Sequence, residues 1–224
     1  MMTETLTISI QNYLKAIYDL TASGEAASTN ALAARLGIAP ASVTGMVQRL
    51  AAGRPSLVKY RKHQGVRLTP RGERAALEVI RHHRLLETYL VNALGYSWDE
   101  VHKEAEKLEH VISEDLEARM ANALGNPARD PHGDPIPSAD LTMPSTEDIP
   151  LSQLRPRQQA IVRRVRNEDL ALLRHLRNLG IVPGTKLKAL EQSPFDGNLR
   201  LSLKDSEITL GNAVTSQIFV ELQR

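Results

Sequence analysis

HHRLLETYLVNALGYSWDEVHKEAEKLEH, residues His82–His110, holds four of the chain's seven histidines and a dense set of glutamates. Gly95 divides it into two predicted helices. The first carries His83 and Glu87; the second carries His102, Glu106, Glu109 and His110. Side chains three, four or seven residues apart share a helix face, so each set forms a stripe of imidazole and carboxylate. These donors suit first-row divalent cations. On the second helix Val101, Ala105, Leu108, Ile112 and Leu116 form one apolar stripe, and the His/Glu stripe is centred roughly 100° around from it. The polar stripe is therefore expected beside a buried seam. The competing reading is an ordinary charged surface. Carboxylates and histidines on two successive helices, the pattern of metal-binding bundles, favour ligands.

Composition narrows the classes. A 224-residue chain that is 42% hydrophobic has ample material for a globular core. No run approaches a membrane span, and MMTETLTISIQN has neither a basic nor an apolar leader region, so no secretory signal is visible. Cysteine is absent, which excludes disulfides, thiolate metal sites and cysteine nucleophiles and fits a cytoplasmic protein. The net charge of +2 hides an asymmetry. Arg35–Arg74 holds nine basic residues against Glu73 alone, whereas Asp99–Glu117 holds eight acids against Lys103 and Lys107. The basic third points to a polyanion, the acidic middle to cations.

Outward from the His/Glu stretch, the N-terminal side reads as a DNA-reading unit. Leu6–Leu20 has helical periodicity. Ser28, Thr29 or Asn30 caps a short helix that stops at Gly37, and Pro40 opens a second helix through Leu50. That pair is a predicted helix-turn-helix. Its second helix starts with Ala39, Pro40, Ala41, Ser42, Thr44 and Gly45, small enough to approach base edges, and Thr44 or Ala41 can touch a thymine methyl. Thr29 and Gln48 complete the candidate base-side set. Leu57–Arg61 and Val66–Thr69 alternate like strands around Lys62-His63-Gln64-Gly65, a basic hairpin expected to act as a wing. Lys59, Arg61, Lys62 and Arg67 would meet phosphates. Thr69 and Pro70 then start a long helix towards Leu94.

On the C-terminal side, Asn126–Pro150 carries six prolines and no periodicity and reads as an extended connector. A helix over Asn167–Leu179 follows, capped by Asn167. Lys186–Leu190, Leu199–Leu203 and Ile218–Leu222 are β-like and suggest a small barrel. No catalytic motif is visible in it.

A basic winged helix, two His/Glu helices, a proline-rich segment and a small barrel together resemble the diphtheria toxin repressor family of metal-dependent regulators. The resemblance runs over nearly the whole chain and is most specific in HHRLLETYLVNALG, EVHKEAEKLEHVIS and NPARDPHGDPIP. It implies a mainly α protein with a small β part: a winged helix-turn-helix over 1–72, a helical dimerisation and metal-binding domain over 73–142, a linker over 143–150 and an SH3-like FeoA-type β-barrel over 151–224. It implies a cytoplasmic homodimeric repressor of metal-homeostasis genes that binds operator DNA when loaded with Mn(II), or with Fe(II). Carried over by position, the primary metal site is Asn12, Glu106, Glu109 and His110. The ancillary site is His83, Glu87 and His102, completed by Asp169 or its neighbour Glu168 where the iron branch has an E-x-x-Q pair. The iron branch places Met at Asn12 and Cys at Glu106; the manganese branch places Asp and Glu there. Carboxylate in place of sulfur favours the harder Mn(II). Lys15 stands where the manganese branch has a second carboxylate.

In this reading a cation joins the first helix to the middle of the chain and sets two recognition helices about 34–36 Å apart, one turn of DNA. Two rival readings are a metallohydrolase on the same cluster, which needs an open coordination position and turnover without DNA, and an architectural DNA binder indifferent to chelator.

Overall fold

A computed structural model describes residues 6–166, 169–204 and 206–223. The predictions for Asn167 and Glu168 lie outside the described residues. The chain divides into two compact units. One comprises the residues up to His83 with Glu109–Ile112 and Pro137–Met143; the other comprises Arg84–Leu108, Ser113–Ile136 and the chain from Pro144 onward. No helix among the described residues is long and apolar enough to cross a membrane.

In the first unit, α1 (Ile8–Thr21) is capped by the Thr7 hydroxyl, α2 (Thr29–Leu36) by that of Ser28, and α3 (Pro40–Ala52) opens on proline. Gly37 ends α2 at φ 66°, the left-handed conformation that favours glycine, and turns the chain into α3. Strands β1 (Val58–Arg61) and β2 (Gly65–Leu68) pair antiparallel, with Lys59 opposite Arg67. Ala27 adds a bridge to Val66 on the far side of β2. One core of Leu14, Ile17, Leu32, Val43, Val47, Val58 and Val66 joins α1, the helix pair and the wing. The long helix α4 (Pro70–Leu94) starts where the Thr69 hydroxyl accepts from the Gly72 amide at 3.2 Å, and the division between the units falls within it.

The second predicted His/Glu helix is shorter than its periodicity suggests. Helix α5 (Val101–Leu108) stops before Glu109, and α6 (Glu114–Ala123) begins afresh with Ser113 as its cap. The Ser113 hydroxyl accepts from the Leu116 amide, and Glu114, Asp115 and Glu117 fill the first turn, where the helix dipole favours negative charge. This competing start breaks the apolar stripe. Val101 and Ala105 are buried, whereas Leu116 is exposed.

The second unit also holds a six-stranded sheet: β3 (Ile149–Pro150), β4 (Gln159–Val165), β5 (Lys186–Gln192), β6 (Leu199–Leu203), β7 (Ser206–Leu210) and β8 (Ile218–Leu222). The order is β3-β8-β4-β5-β6-β7, and the pairings are antiparallel. Alternate residues such as Leu199, Leu201 and Leu203 are buried in one core with Leu173 and Leu176 of α7 (Leu170–Asn178). Asp169 caps α7. A short α8 (Asn212–Thr215) precedes β8.

The proline-bearing stretch is more than a connector. Asp130, His132 and Ile136 are buried, and the Val165 amide of β4 donates to the His132 carbonyl at 2.9 Å. Gly133 sits at φ 89° against the Arg163 carbonyl; a Cβ there would lie 1.7 Å from that oxygen. Gly133→Ala is therefore expected to destabilise the second unit by about 3 kcal/mol, read as a lowered urea midpoint.

Candidate metal centres and nucleic-acid interface

The first cluster lies in the first unit. Glu109, in the turn after α5, is almost fully buried. The Lys15 ammonium from α1 donates to both its oxygens, at 3.0 and 2.8 Å, and lies 3.3 Å from Nδ1 of His83 on α4. Nδ1 of His83 also meets the Glu109 carboxylate. One imidazole nitrogen thus stands between an ammonium and a carboxylate. Nε2 of His110 lies 3.3 Å from the other Glu109 oxygen, while Nδ1 of His110 meets the Gln11 side-chain oxygen. The neighbouring His82 ring contacts the Glu109 backbone carbonyl at 3.1 Å. Burial works to raise the Glu109 carboxyl, but the hydrogen bond to His83 and the charge of Lys15 outweigh it and hold the group below its ordinary value. Asn12 is exposed on α1, and Gln11 is the α1 residue that meets His110.

The second cluster lies in the second unit. Glu87 on α4 is fully buried, with one oxygen 2.9 Å from Nδ1 of His102 on α5 and the other 3.3 Å from Nδ1 of His132. Glu106, largely exposed, reaches Nε2 of His102 at 3.4 Å. His132 has no exposed surface. Its Nε2–H donates to the Trp98 carbonyl at 2.6 Å, and its ring lies 5.5 Å from the Trp98 ring. A carbonyl only accepts, so Nε2 keeps its proton and the Nδ1 lone pair is left for a proton or a cation. Asp130 accepts the His132 and Asp134 amides on Oδ1, while its buried Oδ2 makes no hydrogen bond. Arg84 is 3.9 Å from that oxygen.

Glu87, Asp130 and His132 each offer a ligand atom, all within 4.8 Å of one another. Burial, and then the negative charges of Glu87 and Asp134, raise the Asp130 carboxyl well above its ordinary range. Two buried carboxylates, an orphaned oxygen and an imidazole with a fixed tautomer fit a divalent cation. Sequence reasoning missed Asp130 and His132 as ligands; the signal available was DPHGD, dense in donors within a stretch taken as connector. Asp169 is not among the close groups found in the described residues. Its carboxylate accepts from the Ala171 and Leu172 amides at the start of α7.

The candidate DNA face lies on the first unit. Ala39, Pro40, Ala41, Ser42, Gly45 and Gln48 are exposed along the start of α3; Thr29 and Thr44 are half-buried. The Thr44 hydroxyl donates to the Pro40 carbonyl at 3.0 Å. Lys59, Arg61 and Lys62 are exposed on the wing. Arg67 is exposed too, but its guanidinium donates to the Gly24 carbonyl at 2.6 Å and braces the hairpin.

Comparison with known proteins covers nearly the whole chain. Residues 5–66 match the family model described as iron dependent repressor, N-terminal DNA binding domain. Residues 69–138 match iron dependent repressor, metal binding and dimerisation domain, and residues 149–222 match the FeoA domain. The iron-dependent repressor IdeR of Mycobacterium leprae is 32% identical over 93% of this chain and 95% of its own length. The diphtheria toxin repressor of Corynebacterium diphtheriae is 28% identical over the same shares. Among solved structures, a manganese-dependent transcriptional repressor in complex with manganese superposes with a TM-score of 0.86 at 39% identity, covering 96% of this chain and all of that one.

Burial acts to lower the His102 pKa, but hydrogen bonds and charge from Glu106 and Glu87 overcome it and raise the group from 6.5 to about 9. Protonated His102 thus contributes stability that is fully present below pH 6.5 and is lost as pH rises through 9. In chelator, the melting temperature should fall across that window, and His102→Gln should flatten the fall.

Proposed function

The chain belongs to the diphtheria toxin repressor family of metal-dependent transcriptional repressors, and from that premise we propose a repressor that answers to Mn(II), with Fe(II) as the second candidate. It acts as a cytoplasmic homodimer on a pseudopalindromic operator of metal-homeostasis genes. The observation that carries the metal reading is the buried Glu87–Asp130–His132 set, three donors that leave one carboxylate oxygen without a hydrogen bond. The preference for Mn(II) rests on donor chemistry. Both clusters offer oxygen and nitrogen donors, and a chain without cysteine has no thiolate for a softer ion.

In the first unit Glu109 and His110 are the proposed ligands, with Gln11 or Asn12 as the amide donor from α1. Glu106 is a proposed ligand by the family resemblance alone. In the second unit Glu87, Asp130 and His132 are proposed, with His102 beside Glu87. His83 is a proposed ligand by the family resemblance alone. A bound divalent cation supplies the positive charge that these carboxylates lack. The residues of the chain do the rest. Leu14 and Ile17 of α1 share a core with Val43 and Val47 of α3, so the position of the α1 polar side chains bears on the recognition helix. The Trp98 carbonyl fixes the His132 tautomer before any ion arrives. Exposed Leu94 and Leu116 offer apolar surface to a second copy.

Base-side contacts are assigned to Thr29, Ala39, Pro40, Ala41, Ser42, Thr44, Gly45 and Gln48, and phosphate contacts to Lys59, Arg61 and Lys62. Phosphate contacts add affinity and salt sensitivity in proportion to their number. Lys62→Ala should leave sequence preference intact and lessen the slope of log affinity against log salt by about 1.8, about 0.9 for each of the two copies in the dimer.

The deciding experiment is DNA binding on duplexes recovered by selection from a random pool, titrated with Mn(II), Fe(II) and Zn(II) against chelator. Chelator should weaken binding at least about 100-fold, the size of an effect worth two pK-scale decades of coupling. Glu109→Gln and His132→Ala should each lose at least about tenfold of the metal response while keeping the far-UV spectrum. Binding that ignores chelator would reject the reading.

A further inference from the structure

Lys15 is hard to account for as a surface charge. It donates to both oxygens of Glu109 and approaches the Nδ1 atom of His83. The Glu109 side chain is 2% exposed and that of His83 5%, against 19% for Lys15. A buried ion pair adds little to stability compared with apolar residues of the same volume, so stability alone does not explain its presence; once present, removing one partner strands the other charge. The three groups come from α1, α4 and the turn after α5, segments otherwise far apart in sequence. An ammonium is a compact point charge that only donates. A carboxylate with both oxygens turned towards one point, beside an imidazole nitrogen, is equally the surrounding of a divalent cation.

We propose that the Lys15 ammonium is a resident cation of the Glu109–His83 pair. Through Glu109, whose carboxylate accepts from Lys15 and from Nδ1–H of His83, it ties α1 to α4 in the metal-free protein and fills the place of a second ion, so the first cluster accepts a single divalent cation at its His110 end. At that end Nε2 of His110 lies 3.3 Å from the Glu109 oxygen. The inference rests on the reading of Glu109 and His110 as metal ligands, but half of it concerns the metal-free state. A merely structural ion pair would tie α1 in the same way without setting the number of ions.

Two measurements test it on the full chain. In Mn(II), native mass spectrometry and electron paramagnetic resonance compare the wild type with Lys15→Glu, or with Lys15→Asp if the first variant does not fold. The acidic variant should bind one more Mn(II) per chain and show a spin-coupled pair; an unchanged ion count overturns the single-ion assignment. In chelator, Lys15→Met should lower the melting temperature by about 5 °C or more, because a buried carboxylate loses its cation, and Lys15→Arg should retain most of it. An unchanged melting temperature for Lys15→Met overturns the tether. If the wild type itself bound no Mn(II), the metal-dependent reading would fall, while the chelator measurement would still decide the role of Lys15.

Discussion

A carboxylate taken almost wholly out of water must be given positive charge or hydrogen bonds, and Glu109 is the place where this demand shapes the first unit. Its oxygens draw Lys15 from α1, His83 from α4 and His110 from the adjoining turn into one cluster. Helix α1 in turn shares its apolar side with the recognition helix and the wing. Whatever cation satisfies Glu109 therefore bears, through packed side chains, on the surface that would face DNA. The coupling of ion to operator proposed above needs no more elaborate route than this chain of contacts within one compact body.

The second cluster obeys the same demand differently. Glu87 and Asp130 are buried beside the His132 imidazole, Arg84 stands at the edge of contact, and one carboxylate oxygen makes no hydrogen bond. Such a site is unfavourable when empty of positive charge, and the protonated forms of His132 and Asp130 are the ways the protein itself can lessen the cost. Cation binding then competes with protons, as it does wherever ligands must be deprotonated first. The Trp98 carbonyl adds orientation, since it leaves His132 a single nitrogen with which to bind.

Much of this was legible in the sequence, and the parts that were not have physical causes. Caps and turns were read well: Ser28, Gly37, Pro40, Thr69 and Gly95 act locally, so their neighbours suffice to predict them. The extent of α5 was misjudged because 3.6-residue periodicity continues through Glu109 and Ile112, while the Ser113 cap and three acids restart the helix. Strand β4 was missed because Arg163 and Arg164 break its apolar alternation; Arg164 is accommodated over the Phe219 ring, a contact distant in sequence. Strand β7 was missed because only Ile208 and Leu210 carry apolar character. Asp130 and His132 escaped notice because prolines signal an open chain, and only tertiary packing makes their surroundings dry. Lys15 was visible as a departure from the family pattern, but its partners were not, since they lie 68 and 94 residues away.

The donor sets have one more consequence. Every side chain assembled around Glu87 and Glu109 binds through oxygen or nitrogen, and the chain holds no thiol at all. The oxidation ladder that disables cysteine ligands, from sulfenic to sulfonic acid, has no first rung here. A reader of metal built this way gives peroxide no thiolate ligand to oxidise.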